Sequence, residues 1–192
     1  MHLAHTALAK AFRRQLGLDE VWFLVTPQNP WKAGSTLSPD RDRFNMAVLA
    51  LEDEEGLTAS DYEFRLEKPS FSYRTLRHLR KEFPDTEFTI LIGGDNWTAF
   101  DKWAEYREIL NFHPVAVYPR KDSRLTAPES LAGNDFRLTV VQSPLMDISS
   151  TEIRRRVFSG EEFDNLVCPK VAEYIIRNGL YSKRAIPQRP SE

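Results

Sequence analysis

Apolar residues Leu3, Ala7, Leu8, Ala11 and Phe12 recur at helical spacing, so residues 3–16 read as a helix that Gly17 can stop. "EVWFLVTP" follows without polar alternation. Its β-branched and aromatic run marks a strand buried on both faces, the pattern of parallel sheets. Beyond the loop "TPQNPWKAGSTLSPD", Asp40 is placed to cap a helix with Phe44, Ala47, Val48 and Leu51 along one face. "DYEFRL" alternates Tyr62, Phe64 and Leu66 and reads as a strand. "SYRTLRHLRKEF" is helical, with Leu76, Leu79 and Phe83 inward and an end before Pro84. "EFTILIGG" is the clearest strand, apolar and closed by two glycines. The tryptophan-bearing segment up to Leu110 predicts one or two short helices. "PVAVYP" and "FRLTVVQ" add two short strands. "SSTEIRRRVFSG" is a helix with Gly160 as its stop, and a last helix runs from Pro169, which suits a first turn, to Arg177.

Strands and helices alternate almost throughout, which predicts an α/β domain of parallel βαβ crossovers with helices on both faces of the sheet. Such domains usually begin with a strand, and this pattern begins with a helix. One domain over residues 1–181 accounts for the elements. Residues 182–192, "SKRAIPQRPSE", form a polar tail expected to fray.

Composition narrows the function classes. Twenty-six Lys+Arg against 28 Asp+Glu give a formal net charge of −2, which excludes the basic excess of a general nucleic-acid binder but not the binding of a single nucleotide. The one cysteine, Cys168, excludes an internal disulfide framework and a multi-cysteine zinc site, and it suits a reducing, cytoplasmic compartment. No stretch approaches the roughly 18 consecutive apolar residues of a membrane span. Oligomeric state is left open, a homo-oligomer included.

In open α/β sheets, ligands sit beyond the carboxyl ends of the strands. The segments in those places carry the candidate chemistry. In "SSTEIRRRV", Ser149 and Glu152 have the spacing of a capping box. The same helix start is also an anion site in outline: free N–H donors, hydroxyls of Ser149, Ser150 and Thr151, and Arg154 one turn on. In "GGDN", Gly93 permits close backbone approach and Asp95 and Asn96 supply polar groups, although an ordinary turn has the same composition. Among Trp97, Phe100 and Trp103, two are expected in the core and one indole is available to stack on a ligand ring. Lys32 reads either as a solvated loop lysine or as a cation at this edge. Ser70, Ser72 and Thr75 mark a helix start that caps or touches ligand. His2 and His5 share the N-terminal end of one helical face. Taken alone they are two solvated histidines; a zinc pair would lack an HExxH pattern and a third ligand.

Together the segments "HLAH", "PQNPWK", "PSFSYRTL", "GGDNWTAFDKW" and "ISSTEIR" resemble, in order and spacing, the nicotinate-nucleotide adenylyltransferases of the H-x-G-H nucleotidyltransferase superfamily. Two features differ. Ala4 stands where the motif has glycine, and the family's first strand and its G-x-F-x-P loop are not in this sequence. The resemblance implies a Rossmann-like fold lacking its first strand. It also implies adenylyl transfer from ATP to nicotinate mononucleotide, giving nicotinate adenine dinucleotide and pyrophosphate. His2 and His5 would be catalytic, and Lys32, Ser149, Ser150 and Arg154 would hold ATP phosphates. Gly93, Asp95 and Asn96 would frame the nucleotide. Thr75 and Trp103 would meet nicotinate mononucleotide. Mg²⁺ would come with ATP, held by phosphate and water rather than by a protein cage. Other activities within reach of the same residues are adenylyl transfer to nicotinamide mononucleotide or phosphopantetheine, and nucleotide binding without catalysis. Because the family's first strand lies mid-sheet, its absence is expected to leave a gap between "VWFLV" and "FTILI" or to force them together. The chain is then expected to be less stable and weakly active or inactive.

Overall fold

The structure, a computed structural model, describes residues 1–28, 38–119, 128–131, 136–142, 146 and 148–183. Helix α1 (Leu3–Leu16) leads into β1 (Val21–Leu24), α2 (Asp40–Leu51) and β2 (Leu57–Ser60). Then come α3 (Ser72–Glu82), β3 (Ile90–Gly93), α4 (Gly94–Thr98), α5 (Tyr106–Phe112), β4 (Val115–Tyr118), β5 (Leu138–Val140), α6 (Ser150–Ser159) and α7 (Pro169–Arg177).

All strand pairs are parallel, as the apolar runs predict. β1 pairs with β2 from Val21↔Leu57 to Leu24↔Ser60. β4 lies between β3 and β5, with Gly93↔Tyr118 and Val117↔Val140 in register. Among the described residues β1 and β3 share no ladder, so the sheet is in two parts, β1-β2 and β3-β4-β5. The two strands expected to flank a central strand are therefore neither joined nor paired.

Helix α1 holds the two parts together. Its Ala9 packs with Val21, Leu51 and Leu57, while Ala11 and Phe12 pack on Ala116 and Val141. Leu91 of β3 touches both clusters. The two-residue period of the strands does the sorting. Leu91, Ala116 and Tyr118 face α1, whereas Ile90, Ile92, Val115 and Val117 face α4 and α5. Behind α2, a helical layer packs Met46 against Ile153 of α6 and Val171, Ala172 and Ile175 of α7.

Two elements differ from the sequence pattern. "DYEFRL" is not a strand: residues 62–65 form a 3₁₀ turn, and the strand is the preceding "LTAS". Tyr62 and Glu63 are both buried, which a strand with alternating faces does not allow. β2 carries little apolar signal because its ladder with β1, not its composition, selects the extended form. Asp40 is the first residue of α2 rather than its cap, and its carboxylate accepts from Arg43 at 2.5 Å. The tryptophan segment makes α4, a 3₁₀ turn (Phe100–Lys102) and α5, broken where Glu105 takes φ 51°.

Candidate functional site

Helix α1 begins at His2, which has extended backbone at φ −135° and ψ 165°. The Nδ1 of His5 accepts from the His2 backbone N–H at 3.4 Å, and the two rings stack with centroids 3.7 Å apart. His2 is buried and His5 is exposed. An accepting Nδ1 assigns the proton of the neutral His5 ring to Nε2, which becomes a donor beyond the helix end. The first turn of α1 holds no acidic residue. Its positive end is therefore not neutralised by its own side chains.

Helix α6 begins at Ser149 with extended backbone of the same kind, φ −125° and ψ 146°. Ser149 Oγ accepts from the Glu152 N–H at 3.1 Å, half of the predicted capping box. The other half does not form, because the Glu152 carboxylate is occupied by Arg155 at 2.9 Å and by Arg156 at 2.8 Å. Arg155, then Arg156, hold the Glu152 carboxyl down to about 2. Arg155 also binds Glu161 at 2.5 Å. Arg154 differs from its two neighbours. Among the described residues its partner is the Thr151 hydroxyl, at 3.2 Å, and no carboxylate pairs with it. Ser149, Ser150 and Thr151 are exposed beside it.

At the ends of β3 and β4, a Cβ on Gly93 would lie 2.7 Å from the Asp95 carboxylate and 3.3 Å from the Tyr118 ring. A larger residue there would have to push aside the exposed Asp95 carboxylate and the Tyr118 ring. Tyr118 meets Phe12 of α1 edge to face, so the ring ties the strand end to that helix. Asp95 and Asn96 are exposed, while Trp97 and Phe100 are fully buried. Trp103 is the half-buried one of the three aromatics and lies against Phe100 with centroids 5.0 Å apart.

Thr75 is 2% exposed, and its hydroxyl donates to Glu63 Oε1 at 2.9 Å. That hydroxyl is committed inside the protein. Ser70 donates its backbone N–H to Gln28 O, tying the lead-in of α3 to the segment after β1. An open cavity of about 450 Å³ lies at the end of β2, lined by Ser60, Asp61, Tyr62, Phe64 and Arg65. Lys32 lies outside the described residues. Among the described residues no hydrogen bond or ion pair joins Ser150 or Arg154 to Thr75 or Trp103.

Glu63 and Tyr118 were not legible as site residues. Glu63 sits between Tyr62 and Phe64, so an alternating strand turns it outward. Tyr118 matters because it opposes Gly93, a register that local sequence does not carry.

The chain matches the cytidylyltransferase-like family over residues 1–156. It is 38% identical over 184 residues to a probable nicotinate-nucleotide adenylyltransferase of Flavobacterium johnsoniae, covering 95% of this chain and 94% of that protein. It is 39% identical over 177 residues to one of Bacteroides fragilis, covering 92% and 86%. In structure it is similar to Plasmodium falciparum nicotinic acid mononucleotide adenylyltransferase complexed with NaAD. There the TM-score is 0.76 at 18% identity, with 94% of this chain and 91% of that chain covered. The fold is thus that of the Rossmann-like nucleotidyltransferases.

Proposed function

The chain belongs to the cytidylyltransferase-like family and, within it, to the nicotinate-nucleotide adenylyltransferases, and from that membership we propose that it transfers the adenylyl group of ATP to nicotinate mononucleotide. A phosphate oxygen of nicotinate mononucleotide attacks the α-phosphorus of ATP in line. The new P–O bond forms as the bond to the β-phosphate oxygen breaks, giving nicotinate adenine dinucleotide and pyrophosphate. No protein nucleophile is required, so the residues act by positioning and by stabilising charge.

Their roles follow from their surroundings. His5 donates from Nε2 to phosphate oxygens, and His2 supports it by stacking. The start of α6 holds ATP phosphates through the hydroxyls of Ser149 and Ser150 and through Arg154. Lys32 is assigned to the same phosphates from the resemblance alone. Gly93, Asp95 and Asn96 frame the dinucleotide at the β3 end, and Trp103 presents a half-buried indole to the pyridine ring. Thr75 acts at the acceptor nucleotide through its place at the start of α3, its hydroxyl being turned inward. Imidazole, hydroxyl and guanidinium groups suit phosphate oxygens rather than a cation. A Mg²⁺ ion held by the ATP phosphates would supply further charge neutralisation there, with these residues holding the phosphates rather than the ion. The cytoplasm suits the lone thiol of Cys168.

One observation supports this reading above the rest. Of three consecutive arginines, two are bound by carboxylates, and among the described residues no carboxylate pairs with Arg154, which lies beside a helix N-terminus. The test is to incubate the purified chain with ATP and, separately, nicotinate mononucleotide, nicotinamide mononucleotide and phosphopantetheine, following pyrophosphate and the adenylylated product. Nicotinate adenine dinucleotide should form with the highest kcat/KM. Nucleotide binding without pyrophosphate release, or a preference for phosphopantetheine, overturns it.

A further inference from the structure

Glu63 is a carboxylate with 6% exposure, and it lies outside the residues assigned to the reaction above. Burying an ionised carboxylate is costly unless it is paired or fully hydrogen-bonded. Here Oε1 accepts the Thr75 hydroxyl at 2.9 Å, while Oε2 is buried with no hydrogen-bond partner. Among the described residues no lysine, arginine or histidine pairs with it. Thr75 is the fourth residue of α3, so the carboxylate lies against the first turn, at the positive end of the helix. That end has no side-chain cap from Phe71.

The same connection holds a second buried polar atom without a partner, Ser70 Oγ. Unsatisfied groups of this kind are few in folded proteins and concentrate where a segment is shaped for something other than stability. The residues on either side of Glu63, Tyr62 and Phe64, line the cavity of about 450 Å³ at the end of β2. That volume is in the range of small-molecule clefts. Tyr62 and Arg65 already tie the cavity wall to Glu82 at the far end of α3, and Glu63 adds a buried link from the same 3₁₀ turn to the first turn of that helix.

We infer that Glu63 is a positioning residue of the acceptor-nucleotide site, acting through Thr75 to fix the first turn of α3 against the cavity wall. The inference rests on the proposed function above, which places Thr75 beside nicotinate mononucleotide. Glu63 does not touch the reacting phosphates. It sets the site that receives the acceptor and leaves the ATP side alone, because the His2–His5 pair and α6 make no hydrogen bond to it among the described residues.

The test uses the full chain with Glu63→Ala, Glu63→Gln and Thr75→Val, measuring KM for each substrate, kcat and the melting temperature. Glu63→Ala and Thr75→Val should raise KM for nicotinate mononucleotide about tenfold, the scale of one buried charged hydrogen bond, with KM for ATP within about twofold. Glu63→Gln keeps an acceptor for the Thr75 hydroxyl and should recover most of the loss. If Glu63→Ala fails to fold, the glutamine and valine variants carry the comparison. A purely structural role would lower melting and shift both KM values together, or neither, and that result overturns the inference while the function stands. If the unaltered chain makes no dinucleotide from nicotinate mononucleotide, the proposed function falls and this inference falls with it.

Discussion

Helices α1 and α6 begin alike and end alike. Each enters from an extended residue, His2 or Ser149, and each stops at a left-handed glycine, Gly17 at φ 63° or Gly160 at φ 72°. The difference lies in the first turn. In α6 the cap residue's side chain accepts from the third helical residue, and a glutamate there is neutralised by two arginines. In α1 the third helical residue reaches back to the cap residue's N–H, and no carboxylate is present. One start is self-sufficient, with its spare charge confined to Arg154. The other has no acidic residue in its first turn. Equal geometry does not make equal sites; side-chain partners decide which helix end is still able to bind an anion.

The sharpest way to break this comparison is to remove His5. It is exposed, and its contact with the His2 N–H is long at 3.4 Å, so His5→Ala should lower melting only slightly. The rate of adenylyl transfer should fall about 10²–10³-fold, the cost of one preorganised donor to developing charge. A loss of melting in step with activity would show α1 to be held by its cap after all. A smaller effect is expected at α6. Arg154→Ala should lower kcat/KM for ATP about tenfold to a hundredfold, as one charge-assisted contact requires. Arg155→Ala, which removes a guanidinium already bound to Glu152 and Glu161, should leave kinetics unchanged. Equal losses in the two arginine variants would erase the distinction drawn among the three arginines.

The legible part of the molecule was the part with local causes. Helix α1, β4, α6 and α7 follow from apolar period and from stop signals at Gly17 and Gly160. Trp97 and Phe100 fall in the core and Trp103 outside it, as the spacing allowed. What escaped has non-local causes. β2 is extended because β1 is beside it, and "DYEFRL" curls because Tyr62 and Glu63 both turn inward. Asp40 looked like a cap until Arg43 took its carboxylate while also binding the carbonyls of Thr26, Pro27 and Ser38. For Thr75 the sequence showed a hydroxyl at a helix start and could not show Glu63 waiting inside for it.

The next effect is read in stability. Ser149→Ala removes the one side-chain cap of α6 and should cost about 1 kcal/mol, roughly 2–4 °C in Tm for a chain of this size. His2→Ala removes a buried ring that stacks on His5. Its effect should come from burial and ring stacking, and His2→Phe should restore it. If His2→Phe still melts low, the imidazole is acting as a true cap and the two helix starts are more alike than drawn.

The smallest effect is the one that separates them by pH. Arg155 and Arg156 hold the Glu152 carboxyl down to about 2, below its ordinary value of 4.5. A lowered folded value means that the carboxylate contributes stability above about pH 4.5, and that this is lost as pH falls toward 2. Glu152→Gln should therefore melt slightly lower than the unaltered chain at neutral pH, and the two should converge on acidification to about pH 2. The deficit is small because the group lies at the surface, where solvent screens the pairs. His5→Ala should show no such convergence between pH 4.5 and 2, since the first turn of α1 has no carboxylate to protonate. The glutamine variant also releases Arg156 from its carboxylate, while Arg155 keeps Glu161. If α6 binds phosphate by charge, KM for ATP should then stay level or fall, and a rise would mean that Glu152 shapes the site rather than merely neutralising its neighbours.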